Sequence, residues 1–200
     1  MKVKIKKEGK VETFSLINSW SDVTLETWLK LIDFETGTKT EQATETIAAL
    51  SDIPKRLVKE LALSDVAAIM SKIGELQANQ DGSLKRIIEL NGIEYGFHPD
   101  LDSITLGEYA DIEQFIKNGI ETSLPELMAV LYRPVKQKHK NGVYIINAYD
   151  GDIQMRIEEM KQMSAAQVQS ALFFFYNLGN ALSEIMPSYL TEKLKEMKMQ

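Results

Sequence analysis

Cysteine is absent from the 200 residues, which removes disulfides, thiolate metal sites and cysteine nucleophiles together. The same absence fits a protein made and used inside a cell. Histidine is scarce: His98 and His139 are the only two, and with no cysteine and no HExxH-type pattern beside either, zinc lacks a recognisable ligand set. No GxxxxGK[ST] phosphate loop, GxGxxG turn or GxSxG elbow occurs. No segment approaches the roughly 20 apolar residues of a membrane span. The opening MKVKIKKEGKVETF alternates lysine with apolar residues where a secretory signal would be continuously apolar. Positive charge is also in deficit, with 23 basic against 29 acidic residues and a net charge of -6. That balance argues against a general nucleic-acid binder, whose affinity comes from neutralising phosphates. Asp150 and Asp152 in AYDGDI lack the further oxygen ligands of an EF-hand, and turn and helix-capping chemistry accounts for them better. The expectation is a protein without metal, cofactor or catalytic centre.

What remains is an ordinary globular composition, 44% hydrophobic and 26% charged. Its patterning predicts one α+β domain, mainly helical, with two small β-hairpins. In the first hairpin, Val3, Ile5, Phe14 and Leu16 share a buried face, Lys2, Lys4 and Lys6 line the other, and Glu8-Gly9-Lys10 makes the break. SDVTLETWLKLIDF then starts a helix, with Thr24 as cap and Val23 and Trp28 at the positions of a hydrophobic staple. The device returns in DSITLGEYADIEQFIKN, where Thr105 caps, Glu108 completes a capping box, and Ile104 and Tyr109 hold the staple positions. Between them, TEQATETIAALSDIPKRLVKELALSDVAAIMSKIGELQ reads as three short helices. Asp52 and Pro54 mark one boundary, Ser64-Asp65 open the last helix, and Val66, Ile69, Ile73 and Leu76 recur at helical spacing. A polar loop, 77–83, leads to the second hairpin, Leu84 to Phe97, turning at Asn91-Gly92 with Ile88, Leu90, Ile93, Tyr95 and Phe97 on one face.

Leu124 to Tyr132 is a short apolar helix, stopped at Arg133-Pro134 because a residue before proline is pushed out of the helical region. The densest positive cluster follows as a loop: Lys136, Lys138, His139 and Lys140. It would suit a phosphate or a carboxylate-rich partner, but nothing aromatic is interleaved to stack bases, and a solvated loop tip explains it equally. Ser164 caps a long apolar C-terminal helix expected to run through Met186, with Val168, Ala171, Leu172, Phe175, Leu178, Leu182 and Ile185 in one stripe. Inside it stands the run Phe173-Phe174-Phe175-Tyr176. Phe174 and Tyr176 flank the stripe, while Phe173 projects roughly 160° from Phe175, on the face of Asn177 and Asn180. Either another part of the chain covers Phe173, or a partner does. Phe173, Phe174, Tyr176, Asn177 and Asn180 are therefore the candidate partner-binding residues. If the chain divides at all, it divides into 1–80 and 84–200.

The order of these patterns, from the N-terminal hairpin through SDVTLETWLKL, TETIAALSDIPKRLVKELALSDVAAIMSKI and FHPDLDSITLGEYADIEQFI to LMAVLYRPV, resembles small morphogenesis proteins of tailed bacteriophages, the tail assembly chaperones in particular. SALFFFYNLGNALSEI is similar to structural-region proteins of phages of Bacteroides-type hosts, the crAss-like group among them. The resemblance implies a non-enzymatic protein that binds tail, portal or tape measure proteins, with self-association left open and nucleic acid disfavoured. It implies residence in the host cytoplasm during assembly, or in the virion. The well-patterned hairpins depart from an elongated helical chaperone. That departure keeps a connector, ring or packaged cargo protein near the portal as the alternative, and Lys2, Lys4, Lys6 and the Lys136 to Lys140 loop keep a nucleic-acid-associated accessory protein as a further one.

Overall fold

The computed structural model of the chain describes residues 1–7, 10–33, 37–78 and 83–173. Strands β1 (Lys2–Lys7) and β2 (Lys10–Ser15) pair antiparallel, Val3 opposite Phe14 and Ile5 opposite Glu12. Ile5 and Leu16 are buried, Val3 and Phe14 half-buried, and Lys2 and Lys4 exposed, so the alternation read in the sequence becomes a two-faced hairpin. A single 3-10 turn, Trp20–Asp22, is capped by Ser19 and buries the Trp20 ring. Four helices follow: α1 (Leu25–Asp33), α2 (Lys39–Leu50), α3 (Lys55–Val58) and α4 (Leu63–Ala78). α2 opens with a capping box between Thr38 and Glu41. Asp52, expected to cap a helix, does something else. Pro54 takes the cap position of α3, and the Asp52 carboxylate accepts from the Ser15 amide at 2.6 Å, tying the end of the hairpin to the α2–α3 link. Ile47, Leu50, Ile53, Val58, Ile69 and Ile73 close over Ile5, Leu16, Trp20 and Val23 as a first core.

The second core is built around a four-stranded antiparallel sheet in the order β3-β4-β5-β6, made of β3 (Ile87–Leu90), β4 (Ile93–Phe97), β5 (Tyr132–Lys138) and β6 (Tyr144–Ile146). Asn91 and Gly92 turn the β3–β4 hairpin with φ of 51° and 79°, as the dipeptide predicts. Ile88, Leu90, Tyr95 and Phe97 are buried together, but Ile93, beside the turn, is 46% exposed. Between β4 and β5 lie α5 (Leu106–Asn118) and α6 (Leu124–Leu131). α6 is buried nearly all round, which suits its unbroken apolar sequence. The second β element is thus larger than the single hairpin expected. Proline stops α6 as predicted, yet the chain leaves it directly into a strand, so Lys136 and Lys138 lie on β5 and not in a loop. The extended backbone that Pro134 imposes on Arg133 is already strand geometry, and Tyr144, Ile145 and Ile146 supply the matching edge. Gly96 permits this packing. A Cβ there would stand 2.6 Å from the Tyr144 ring and 2.8 Å from Ile146, and Tyr144 donates from its hydroxyl to the Phe97 carbonyl at 2.6 Å.

The last described elements are α7 (Gln154–Met160) and a helix α8 over residues 165–173. Ser164 caps α8 as predicted: its hydroxyl accepts from the Gln167 amide at 3.3 Å, and its own amide donates to the Gln167 side chain at 3.1 Å. The expected continuation of this helix to Met186 lies outside the described residues. Where α1 and α8 begin, the two cores are joined. Thr24 and Ser164 form an antiparallel bridge, flanked by the Leu25 amide on the Met163 carbonyl and the Ala165 amide on the Val23 carbonyl, both at 2.7 Å. Val23 and Ala165 belong to the first core, Leu25, Met163 and Val168 to the second, and Trp28 packs against both.

Two glycines should respond in opposite ways to alanine. Gly96→Ala is expected to cost about 1–3 kcal/mol by overpacking against Tyr144. Gly74→Ala, in the interior of α4 with nothing within 4 Å of the new methyl group, should add about 0.5–1 kcal/mol. Urea unfolding of the two variants beside the parent chain measures both.

Candidate functional site

Glu108 does more than complete the capping box of α5. One carboxylate oxygen accepts from the Thr105 amide at 2.8 Å and from its hydroxyl at 2.5 Å. The other lies 2.7 Å from Arg133 Nη2 and 3.5 Å from His98 Nε2. Glu108 is 1% exposed and Arg133 4%, so the pair is taken out of water almost completely. The Arg133 guanidinium lies over the Tyr149 ring, 5.7 Å from its centre, and Tyr149 donates its hydroxyl to Asp111, also on α5. Arg156 of α7 approaches Asp150 at 3.8 Å. One cluster therefore ties α5 to the end of β4, to β5 and to the segment before α7.

Burial works to raise the Glu108 pKa, but the hydroxyl and amide of Thr105, then Arg133 and His98, hold it below its ordinary value. Burial pushes His98 down, against the pull of Glu108. The imidazole is accordingly favoured neutral and the carboxylate ionised, while His98 Nδ1 and Arg133 Nε are buried without a hydrogen-bond partner among the described residues. The effect of the ion pair is to fix the roll of α5 about its own axis. The sequence shows Glu108 as a capping residue and His98 as one of two isolated histidines, and neither pattern joins them to Arg133. The available signal was a single arginine inside the apolar stretch LMAVLYRPV, since a cation drawn into a core needs a partner.

With that face held inward, the opposite face of α5 meets water. Leu106 is 84% exposed, Tyr109 55%, and Ile116 lies beyond them on the same side. The expected staple is therefore only half made: Ile104 packs on the second core, while Tyr109 turns outward. A pair between Lys117 and Glu113, 3.0 Å long, runs along the same strip.

Phe173 is 63% exposed at the end of the described part of α8, whose Ala165, Val168 and Ala171 are buried. The other candidate partner-binding residues, Phe174, Tyr176, Asn177 and Asn180, lie outside the described residues. Lys136, Lys138, His139 and Lys140 are all exposed and gather on the β5–β6 arm. Lys136 sits at an irregularity of register between Val135 and Gln137, Lys138 pairs with Glu94 of β4, and the His139 amide donates to the Val143 carbonyl at 2.8 Å. Exposed Val143 and Ile145 stand beside them, so the basic cluster is part of a mixed surface. Asp150 accepts from the Asp152 amide at 3.2 Å around Gly151, the turn expected there. Among the described residues no group of three or more histidines and carboxylates could hold a metal ion, and no helix is long and apolar enough to cross a membrane. No protein-family model, curated protein or solved structure matches the chain.

The buried cluster makes stability depend on pH in one direction. His98 and Glu108 both titrate below their ordinary values of 6.5 and 4.5, so the unfolded chain takes up protons first. Their contribution is complete above pH 6.5 and is lost on acidification, first through His98 and then through Glu108. Unfolding free energies measured down this range should fall, and His98→Gln should flatten the upper part. Arg133→Met, which strands a buried carboxylate, should cost about 3–5 kcal/mol at neutral pH.

Proposed function

We propose that this chain is a bacteriophage protein that binds other phage proteins while tails or virions are assembled, and that it acts by contact and not by catalysis. The observation that carries the binding reading is Phe173, a large aromatic side chain left 63% exposed on a helix whose other face is buried. Leu106 and Tyr109, exposed on a helix locked in orientation by Glu108 and Arg133, support it as a second apolar surface. Such residues match the anchors that supply most of the free energy at protein interfaces, with charged neighbours setting partner and orientation. The phage assignment rests on the ordering of sequence patterns. Its two forms are a tail assembly chaperone, which leaves before the particle is complete, and a connector, ring or cargo protein that stays. The union of two mixed hairpin-and-helix cores favours the second form over an elongated helical chaperone.

Mass spectrometry of purified particles from the replicon that encodes this chain separates the two, because only a resident protein is retained in stoichiometric amount. Phe173→Ser should lower recovery of partner proteins by about tenfold or more. Its unfolding free energy should change by only about 0.5 kcal/mol, as for an exposed position. A large loss of stability with unchanged partner recovery would instead make Phe173 part of the core.

A further inference from the structure

A groove of about 730 Å³ lies between the first half of α2, the link from α3 to α4 and the first turn of α4. Val58 is its buried floor, Leu61 and Val66 are half-buried walls, and Leu63 is 83% exposed at its edge. Its charge is sorted in a particular way. Glu45 is closed into an ion pair with Lys55. Glu41 is turned back on its own helix, accepting from the Thr38 amide at 2.9 Å and hydroxyl at 2.8 Å. Lys39 and Lys59, the other two cations of the lining, have no ion-pair partner among the described residues. The Glu41 carboxylate keeps its charge and is attracted by Lys59, so the three lysines and two glutamates of the lining leave the groove a net positive charge, on a chain whose net charge is -6. α2 and α4 both begin here, so the positive ends of two helix dipoles add to it.

We propose that this groove receives an acidic amphipathic helix of a partner protein, with its apolar side chains on Leu61, Leu63 and Val66 and its carboxylates beside Lys39 and Lys59. Two helix surfaces meeting at an angle leave a channel into which the ridge of a third helix fits, and recognition then depends on apolar anchors one turn apart. A groove of net positive charge on a chain of net negative charge favours a ligand of the opposite sign, by attraction at the groove. The inference stands on the groove alone and does not depend on the phage reading or on Phe173.

The test uses the full chain and three labelled synthetic helical peptides that share leucines at i, i+3, i+4 and i+7 and carry Glu, Gln or Lys at the flanking positions. Fluorescence anisotropy should find the Glu peptide bound about tenfold tighter than the Lys peptide, with the Gln peptide between. The double variant Lys39→Glu, Lys59→Glu should reverse that order, and Leu63→Asp should weaken all three. Leu63 and the two lysines are exposed, so these variants should keep the parent's circular dichroism and melting behaviour. Phe173→Ser should leave peptide binding unchanged, which separates this site from the contact proposed above. The proposal is overturned if the Glu peptide does not bind at about 1 mM, if the three peptides bind alike, or if the groove variants leave binding intact. It is also overturned if laurate displaces the peptide and loses its own binding in the same variants, which would make the groove a site for small amphiphiles. A dimer of the peptide-free chain that Leu63→Asp dissociates would place a second copy in the groove instead.

Discussion

The bridge between Thr24 and Ser164 is the contact on which the rest of the fold turns. It joins two helix starts that lie 140 positions apart in the chain, and each partner is also a cap. Thr24 accepts from the Thr27 amide at 3.2 Å, and Ser164 from the Gln167 amide at 3.3 Å. Caps normally serve one helix each. Here the paired extended backbone places the entry of α1 beside the entry of α8, so that neighbouring residues on each chain point into different cores. Val23, before the bridge, packs into the first core, Leu25, where the backbone has already turned into α1, packs into the second, and Trp28, one turn further on, packs against both. A pairing of three residues on each side therefore sets the relation of two cores that the chain builds from separate stretches.

Glu108 repeats the economy in another place. The carboxylate that closes the start of α5 also neutralises a buried arginine from β5, so a local helix signal becomes a long-range constraint. The cost of burying Arg133 is met from three directions: the carboxylate, the Tyr149 face and the Tyr149–Asp111 hydrogen bond that holds the ring. Holding one face of α5 inward leaves Leu106 and Tyr109 outward. The exposed apolar strip is thus a consequence of buried electrostatics.

The surface that results is divided by chemistry. Apolar residues stand out on α5 and at Phe173, the β5–β6 arm carries lysines beside Val143 and Ile145, and the α2–α4 groove combines apolar walls with lysines. Of the 23 basic residues, Lys136, Lys138 and Lys140 gather on the arm and Lys39, Lys55 and Lys59 line the groove. Lys138 on the arm is paired with Glu94, Lys55 in the groove is paired with Glu45, and Lys59 attracts the Glu41 carboxylate. Each of these two basic clusters is therefore partly neutralised within the fold.

Much of the fold was legible along the chain because its causes are local. The two-residue turn at Asn91-Gly92, the capping box of Thr105 and Glu108, the caps Thr24 and Ser164, the proline stop after α6 and the alternation of β1 all depend on residues within one or two turns of each other. The errors share the opposite character. Asp52 was drawn from its expected cap by the Ser15 amide, Tyr109 turned away from its staple because Glu108 set the roll of α5, and the lysine-rich segment after Pro134 became a strand because β4 and β6 lay ready to pair with it. Of the residues read as partner-binding, Phe173 could be placed, and the buried triad of Glu108, Arg133 and His98 was not foreseen as a unit because its members come from three separate elements. The class of the fold, the starts of its helices and its turns can be read along the chain, since they follow from backbone preferences and hydrogen bonds between near neighbours. Which carboxylate meets which cation, which face of each helix is left in water, and how the two cores are joined are settled by folding. Those outcomes depend on burial and charge pairing between residues that the chain keeps far apart.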